Sequence, residues 1–191
     1  MNIQKNIIQI AKDVLINESR AVENLTNFID NDFEACVLEI LQSKGRVVIT
    51  GVGKSAIIAN KIVATLNSTG TPALFMHAAD AIHGDLGMVQ SDDMVICISK
   101  SGNTPEIKVL VPLLKRRGSK LVALVSNTNS YLAEHADFVL NATIQEEACP
   151  NNLAPTTSTT VHLAMGDALA ACSSWVTTSM FLLGHNVVKR S

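Results

Sequence analysis

One stretch of eight residues has the composition of an anion-binding loop. The segment 99–106 reads Ser-Lys-Ser-Gly-Asn-Thr-Pro-Glu and follows the apolar run 94–98, which predicts a buried strand. Residues 107–117 carry apolar side chains on one face and predict a helix. Backbone N–H groups are free at such a helix start, and the helix dipole favours negative charge there. We expect an anion in this loop with Glu106 beside it; the alternative is an ordinary capped turn.

A glycine-rich loop after an earlier predicted strand is the second candidate. Residues 51–55 read Gly-Val-Gly-Lys-Ser and follow the apolar run 46–50. A Walker A loop would need glycine at Val48, inside the strand. A dinucleotide-binding loop would need an acidic residue about 20 positions on, where His77 stands. We therefore interpret the loop as a contact for a phosphate or a sugar oxygen, made by Lys54.

Two carboxylates and a run of hydroxyls follow the last predicted strand. Glu146 and Glu147 come just after the apolar run 138–142. Residues 156–160 read Thr-Thr-Ser-Thr-Thr and directly precede a predicted helix at 161–171. Five hydroxyls exceed what one helix cap needs, which favours a second anion contact. Open α/β sheets place their sites at the carboxyl ends of strands, although solvated loop carboxylates are the plain alternative here.

Strands and helices alternate along the chain, and this alternation would bring the three loops together. Further patterns predict strands at 71–77 and 120–126 and helices at 3–28, 33–43, 56–68 and 131–136. Such an order predicts an α/β fold, with a parallel sheet that carries helices on both faces in a flavodoxin-like arrangement. No repeat or linker divides the sequence, so we expect one domain over residues 1–191.

Composition excludes several classes of function. Hydrophobic residues make up 47% and charged residues 17%, which is typical of a globular protein. A net charge of −2, no basic stripe and 4% aromatic residues argue against nucleic acid as a partner. With no secretion signal and no bilayer-spanning run, we expect a cytoplasmic protein without a membrane partner. No metal site is expected, and buried thiols are predicted at the scattered Cys36, Cys97, Cys149 and Cys172.

The combined motifs resemble the sugar isomerase (SIS) domain family, and within it the arabinose-5-phosphate isomerases. The similarity covers about residues 5–170 and rests on segments 51–55, 68–72, 83–88, 99–106, 147–150, 153–160 and 165–170. It implies a three-layer α/β/α sandwich around a five-stranded parallel sheet. It also implies a homotetramer with shared active sites, and many relatives add two regulatory CBS domains, which we do not expect here.

The same resemblance implies roles for individual residues. Members of the family use a lysine, two glutamates and a histidine, and the first three fall on Lys54, Glu106 and Glu147. The family's histidine lies in a His-Pro-Gly-Gly segment that is absent here, and the role is not transferred to His185 because its neighbours differ. The residues expected to bind substrate are Gly53, Ser55, His83, Ser99, Ser101, Gly102, Asn103, Thr104, Thr156, Thr157, Ser158 and Thr159.

The reaction implied is an aldose–ketose isomerisation between D-arabinose 5-phosphate and D-ribulose 5-phosphate, in the service of Kdo synthesis. It moves a proton between C1 and C2 through a cis-enediol and needs no cofactor. Glu106 and Glu147 are the candidates for base and acid, in either order, and Lys54 would stabilise the enediolate. Two alternatives stay open: a sugar-phosphate-binding module with impaired catalysis, and an isomerase of another phosphosugar such as a hexulose 6-phosphate.

Overall fold

Five parallel strands form the centre of the protein, for which a computed structural model describes residues 3–182. Neighbouring strands run in the order β2-β1-β3-β4-β5, so the sheet is flavodoxin-like as predicted. All four pairings are parallel. The strands are β1 Val47–Gly51, β2 Ala73–His77, β3 Met94–Ser99, β4 Lys120–Val125 and β5 Phe138–Asn141.

Seven α-helices accompany the sheet, and at the start of three of them a polar side chain accepts hydrogen bonds from free backbone N–H groups. The Asp30 carboxylate, for example, accepts hydrogen bonds from the backbone N–H groups of Asp32 and Phe33 at the start of the second helix. Short 3-10 turns lie at Leu25–Phe28, Asp85–Met88 and Pro150–Asn152. The helices are α1 Ile3–Asn24, α2 Asn31–Gln42, α3 Lys54–Ser68, α4 Ala78–Ala81, α5 Pro105–Arg117, α6 Tyr131–His135 and α7 Thr157–Leu182.

Alternate residues of each strand point to opposite faces, and each face has its own apolar core. In β1, Val47 and Ile49 belong to the core under α2, α3 and α7, whereas Val48 belongs to the core under α4, α5 and α6. Both cores are fully covered, as a parallel sheet requires. The predicted three-layer α/β/α sandwich is therefore confirmed.

Helix α7 differs from its prediction at both ends. It was predicted over 161–171, but it begins at Thr157 and continues to Leu182. At the start, a carboxylate from the preceding loop accepts the free N–H groups, so residues that usually cap a helix lie inside its first turn. Near the end, the hydroxyls of Ser173 and Thr177 each donate to the carbonyl four residues earlier, so these polar side chains are satisfied within the helix.

The cysteines fit their prediction only in part. Cys36 and Cys97 are buried, and burial raises the pKa of each thiol to about 12. The prediction was wrong for Cys149, which is half-buried in a loop, and for Cys172, which is exposed on α7.

Within residues 3–182 no helix has the length and apolar character that crossing a membrane demands.

Candidate active site

Two adjoining cavities open at the carboxyl end of the sheet, between β1 and β3. The strand order reverses at this point, so the loop after β1 leads to α3 on one face and the loop after β3 leads to α5 on the other. Ligands of open α/β sheets bind in the crevice that such a reversal creates. Both cavities are lined by Val52, Ser55 and Lys100.

The two cavities differ in the chemistry of their other residues. The first, which we call the Lys54 cavity, has a volume of about 290 Å³ and is also lined by Lys54, Pro155, Ser158, Thr159 and His162. The second, the Ser101 cavity, has a volume of about 240 Å³ and is also lined by Ile98, Ser99, Ser101, Thr104 and Ile107. The first combines ammonium groups, hydroxyls and an imidazole, whereas the second combines hydroxyls near the start of α5 with apolar side chains and the Lys100 ammonium.

Internal hydrogen bonds fix the loop that forms the Ser101 cavity. The Ser99 hydroxyl accepts the Gly102 N–H at 3.0 Å, and the Ser101 hydroxyl accepts the Asn103 N–H at 3.3 Å. Asn103 in turn accepts the Tyr131 N–H at 3.1 Å through its side-chain oxygen. Gly102 has a φ of +63°, and its carbonyl accepts the Leu132 N–H. The loop is therefore held in place before any ligand arrives.

Thr104 lies where an anion at the start of α5 would be bound. It occupies the N-cap position, yet its hydroxyl does not cap the helix. That hydroxyl is buried and has no hydrogen-bond partner in the described chain. Because an unpaired buried hydroxyl is unfavourable, and because Thr104 lines the Ser101 cavity, a ligand oxygen there would complete its hydrogen bonding.

The Glu147 carboxylate is buried and surrounded by donors. Its Oε1 accepts the Ser158 hydroxyl at 2.6 Å and pairs with the Lys100 ammonium at 2.7 Å. Its Oε2 accepts the backbone N–H groups of Thr156 at 2.8 Å and Ser158 at 3.0 Å. At the start of α7, where a second anion contact was predicted, the free N–H groups therefore bind the protein's own carboxylate.

These contacts keep Glu147 ionised and hold Lys100 at the cavities. Burial by itself raises the pKa of Glu147, but the hydrogen bonds from Lys100, Ser158 and the Thr156 backbone lower it to about 2. The Lys100 side chain remains 43% exposed, whereas that of Glu147 is fully buried. An ammonium carries three N–H donors, so Lys100 can bind Glu147 and still present donors to both cavities.

His162 lies one turn into α7 and is buried, with 1% of its surface exposed. Its Nε2 is 3.3 Å from the Ser126 hydroxyl, and its Nδ1 has no hydrogen-bond partner in the described chain. Burial lowers the pKa of His162 to about 4, with Glu147 raising it and Lys100 lowering it. The imidazole is consequently neutral at physiological pH.

The structure brings together some of the predicted site residues and places others elsewhere. Seven of them line the two cavities: Lys54, Ser55, Ser99, Ser101, Thr104, Ser158 and Thr159. Neither predicted glutamate lines a cavity: Glu147 reaches the cavities through Lys100, and Glu106 lies half-exposed in the first turn of α5. The remaining ones line neither cavity: Gly53, His83, Gly102, Asn103, Thr156 and Thr157. His185 lies outside the described residues.

Hydroxyls of the residues outside the cavities have partners within the protein. Thr157 donates its hydroxyl to Asn17 of α1 at 2.8 Å and accepts the Ala148 N–H. The Thr156 hydroxyl accepts the Cys149 N–H and approaches Glu147. These two threonines thus order the loop before α7 and attach it to α1.

Lys100 and His162 are the polar cavity residues that were not predicted from the sequence. Lys100 stands inside the predicted anion loop, but nothing in the sequence indicated that its partner would be Glu147, 47 positions away. His162 lies in an apolar helical pattern, where a single histidine suggests a core residue. The signal that could have found it is its spacing of four residues from Ser158, which places both on one face of α7.

The described residues hold no cluster of three or more histidine, cysteine, aspartate or glutamate side chains that could bind a metal ion. Polar contacts at the cavities come from ammonium groups, hydroxyls, an imidazole and backbone N–H groups. This donor set suits phosphate and sugar oxygens.

The amino-acid sequence is similar to a known family and to several curated proteins. The model of the SIS domain matches residues 39–172. A Haemophilus influenzae protein named probable arabinose 5-phosphate isomerase is 52% identical over 165 residues, which are 86% of this chain and 49% of that protein. The arabinose 5-phosphate isomerase KdsD of Pseudomonas aeruginosa is 50% identical over 173 residues, 89% of this chain and 53% of that protein. The chain thus spans about half the length of these curated relatives.

Solved structures agree with the sequence comparison. An E. coli CFT073 protein solved in complex with arabinose 5-phosphate is 40% identical and superposes with a TM-score of 0.88. The superposition covers 97% of this chain and 100% of that one. A Bacteroides fragilis protein described as a putative phosphosugar isomerase involved in capsule formation is 34% identical, with 97% of each chain covered and a TM-score of 0.84. This chain belongs to the SIS domain family.

Proposed function

We propose that the chain is an aldose–ketose isomerase that interconverts D-arabinose 5-phosphate and D-ribulose 5-phosphate. The observation that carries the proposal is the pair of adjoining cavities at the strand-order reversal, where Lys54 and Lys100 face hydroxyls and a neutral imidazole. The names of the curated relatives and the arabinose 5-phosphate complex of the solved relative support this choice of substrate. In cells the reaction would supply D-arabinose 5-phosphate for Kdo synthesis.

The phosphate belongs in the Ser101 cavity. Hydroxyls of Ser101 and Thr104 line this cavity at the start of α5, where the helix dipole favours an anion, and Lys100 adds a positive charge. A phosphate bound there would direct the carbon chain toward the Lys54 cavity, because the two cavities share Ser55 and Lys100. An open-chain pentose would then bring its C1 and C2 atoms to the ammonium groups.

The reaction requires two proton movements. A base removes the proton from C2 and returns it to C1, while the hydrogen of the O2 hydroxyl is transferred to O1, so a cis-enediol is formed and consumed. In this scheme Lys54 stabilises the negative charge that develops on O1. Both moved protons come from the substrate, and the enzyme ends in its starting protonation state.

Glu106 and Glu147 remain the proposed carboxylates, but their surroundings favour different tasks. A general base works best when its pKa lies near the operating pH, and the pKa of Glu147 is about 2. Glu147 is better suited to hold Lys100 in place. Glu106 makes no side-chain hydrogen bond or ion pair within the described chain, which favours it as the group that moves the proton between carbons.

A panel of phosphosugars tests the proposal. The purified protein is incubated with D-arabinose 5-phosphate, D-ribose 5-phosphate or D-glucose 6-phosphate, and the ketose is followed by NMR. We expect D-ribulose 5-phosphate from the arabinose compound, and little from D-ribose 5-phosphate, which gives the same ketose but has the opposite configuration at C2. Binding without turnover would identify a sugar-phosphate-binding module instead, and turnover of the hexose alone would identify a different isomerase.

A further inference from the structure

His162 is a buried side chain with an unused hydrogen-bonding atom beside a cavity. It lines the Lys54 cavity, and only 1% of its surface is exposed. One ring nitrogen, Nε2, has the Ser126 hydroxyl as its partner at 3.3 Å. The other, Nδ1, is buried and has no partner in the described chain. An unpaired buried polar atom is unfavourable, so a missing partner is expected.

The chemistry of the missing partner follows from the state of the ring. The imidazole is neutral at physiological pH, so one ring nitrogen carries a hydrogen and donates a hydrogen bond, and the other nitrogen accepts one. A hydroxyl both donates and accepts, and it can therefore pair with Nδ1 in either tautomer. A phosphate dianion offers no donor and is better bound by the ammonium and hydroxyls of the Ser101 cavity. The partner that fits is a sugar hydroxyl.

No other histidine of the described residues is placed in this way. His77 also has a buried Nδ1 without a hydrogen bond, but it lies near the Asp80 carboxylate and lines neither cavity. His83 and His135 are exposed. Among these four histidines, His162 alone combines burial, an unpaired nitrogen and a place in the wall of the cavity.

We propose that His162 is a specificity-determining residue whose Nδ1 hydrogen-bonds one hydroxyl on the carbon chain of the bound phosphosugar. The proposal rests on the proposed function for the class of ligand. It goes beyond that function because it names a residue that selects the sugar by a hydrogen bond to one of its hydroxyls. This residue does not itself remove the carbon-bound proton. Ser126 contributes as a positioning residue, because its hydroxyl holds the ring through Nε2.

Such a hydrogen bond makes a site reject a ligand that lacks the hydroxyl, because the buried nitrogen is then left unpaired. Loss of one bond of this kind corresponds to about a tenfold change in affinity. When the imidazole itself is removed, the same discrimination should vanish. The prediction is thus a coupling between one residue and one hydroxyl.

Calorimetric titration with D-arabitol 5-phosphate tests this coupling. This open-chain polyol has no carbonyl, so it cannot be isomerised, and binding is measured independently of turnover. Its four monodeoxy forms, which lack the hydroxyl at C1, C2, C3 or C4, are compared on the wild type, His162→Leu and His162→Asn. The exposed His135 provides the matched control, His135→Leu, and thermal unfolding verifies that each variant is folded.

We expect one deoxy form to bind the wild type and His135→Leu about tenfold more weakly than the parent. In His162→Leu the parent should bind as weakly as that deoxy form, and the difference should disappear. His162→Asn, which keeps a polar atom near the position of Nδ1, should recover part of it.

Two results would overturn the inference. If the same pattern of discrimination persists in His162→Leu, another residue reads the hydroxyls, although the proposed isomerase could still be correct. If the wild type binds all the deoxy forms as it binds the parent, or does not bind the parent at all, the inference fails, whereas turnover of D-arabinose 5-phosphate decides the proposed function separately. Should isomerase activity be absent while the coupling is found, only the proposed function would be contradicted.

Discussion

At the level of single residues, the ion pair between Glu147 and Lys100 contributes both to the stability of the fold and to the binding site. The carboxylate accepts four hydrogen bonds at 3.0 Å or less, including that from Lys100, and it lies beneath the cavities that Lys100 lines. A charged hydrogen bond contributes about 1.5–3 kcal/mol to stability. If a glutamine amide replaced the carboxylate, its NH₂ group would face N–H and O–H donors and could not pair with them. Removal of the charge should therefore affect both folding and binding.

Glu147→Gln is expected to lower the free energy of unfolding at pH 7 by about 2–3 kcal/mol. The folded-state pKa of Glu147 is lowered from 4.5 to about 2, so the stabilisation is fully present above pH 4.5 and is lost as the pH falls toward 2. The difference between wild type and variant in urea denaturation should thus shrink between those pH values. A difference that stays constant down to pH 2 would show that the charge of Glu147 is not what stabilises the fold.

Glu106→Gln addresses the proton transfer. It preserves the shape of the side chain and removes the base, so kcat should fall by about 10²–10⁴-fold while the affinity for D-arabinose 5-phosphate stays nearly intact. Glu134→Gln, an exposed glutamate of α6, serves as the control. Steady-state kinetics and calorimetry provide the two measurements. An unchanged kcat in Glu106→Gln would move the base to another residue.

Ser101→Ala addresses phosphate binding by a neutral hydroxyl. Loss of one hydrogen bond should weaken the binding of D-arabinose 5-phosphate by about 1–2 kcal/mol. Ser91→Ala, at the other end of β3, is the matched control because Ser91 is exposed and lines a different surface. Equal affinities for Ser101→Ala and the wild type would place the phosphate outside the Ser101 cavity.

At the scale of elements, the strands could be predicted from sequence because each is a short apolar run bounded by turn residues. The ends of β1 and β3 fall within a residue of their prediction. The start of α7 could not be predicted, because the helix is capped by Glu147 from a loop whose path depends on the tertiary fold. For the same reason the sequence indicated three polar loops but not the pairing of Lys100 with Glu147.

Gly102 shows how an element boundary shapes the Ser101 cavity. Its φ is +63°, and a Cβ there would lie 2.1 Å from the Ser130 hydroxyl oxygen. Gly118 has a φ of +81°, and an added Cβ there would meet no neighbouring atom. Alanine at either position would therefore be strained by the positive φ, but only at position 102 would it also clash with a neighbour. Gly118→Ala should cost about 1–2 kcal/mol of stability, and Gly102→Ala about 1–3 kcal/mol more.

Denaturant unfolding of the two glycine variants measures this difference. Because the clash displaces the loop, Gly102→Ala should also raise the KM for D-arabinose 5-phosphate, whereas Gly118→Ala should leave it unchanged. Similar stability losses in both variants would mean that the loop accommodates a side chain without moving.

At the scale of the whole molecule, large apolar side chains remain exposed on the two longest helices. On α1 these include Ile7 and Ile8, each 60% exposed, and Leu15, 68% exposed; on α7 Trp175 is 71% exposed. Apolar surface of this extent on one side usually marks an interface. We propose that copies of the chain associate through these helices, and the family resemblance favours a homotetramer.

Light scattering at micromolar concentration measures the association. The wild type should be larger than a monomer, and Leu15→Glu combined with Trp175→Glu should shift it toward smaller species, because charge in a buried interface is strongly unfavourable. Val109→Glu, on the exposed face of α5, should leave the mass unchanged. A monomeric wild type would contradict the proposal.

If isomerisation takes place in the cavities at the reversal of strand order, it depends on Lys54 and not on a lysine elsewhere on the protein. Lys54 lines the cavity there, whereas Lys120 lies at the opposite end of the sheet. The measurement is the initial rate of D-ribulose 5-phosphate formation from D-arabinose 5-phosphate for Lys54→Met and Lys120→Met. We predict a loss of about 10²–10³-fold for Lys54→Met and a rate within about twofold of wild type for Lys120→Met. Equal rates in the two variants would contradict the account.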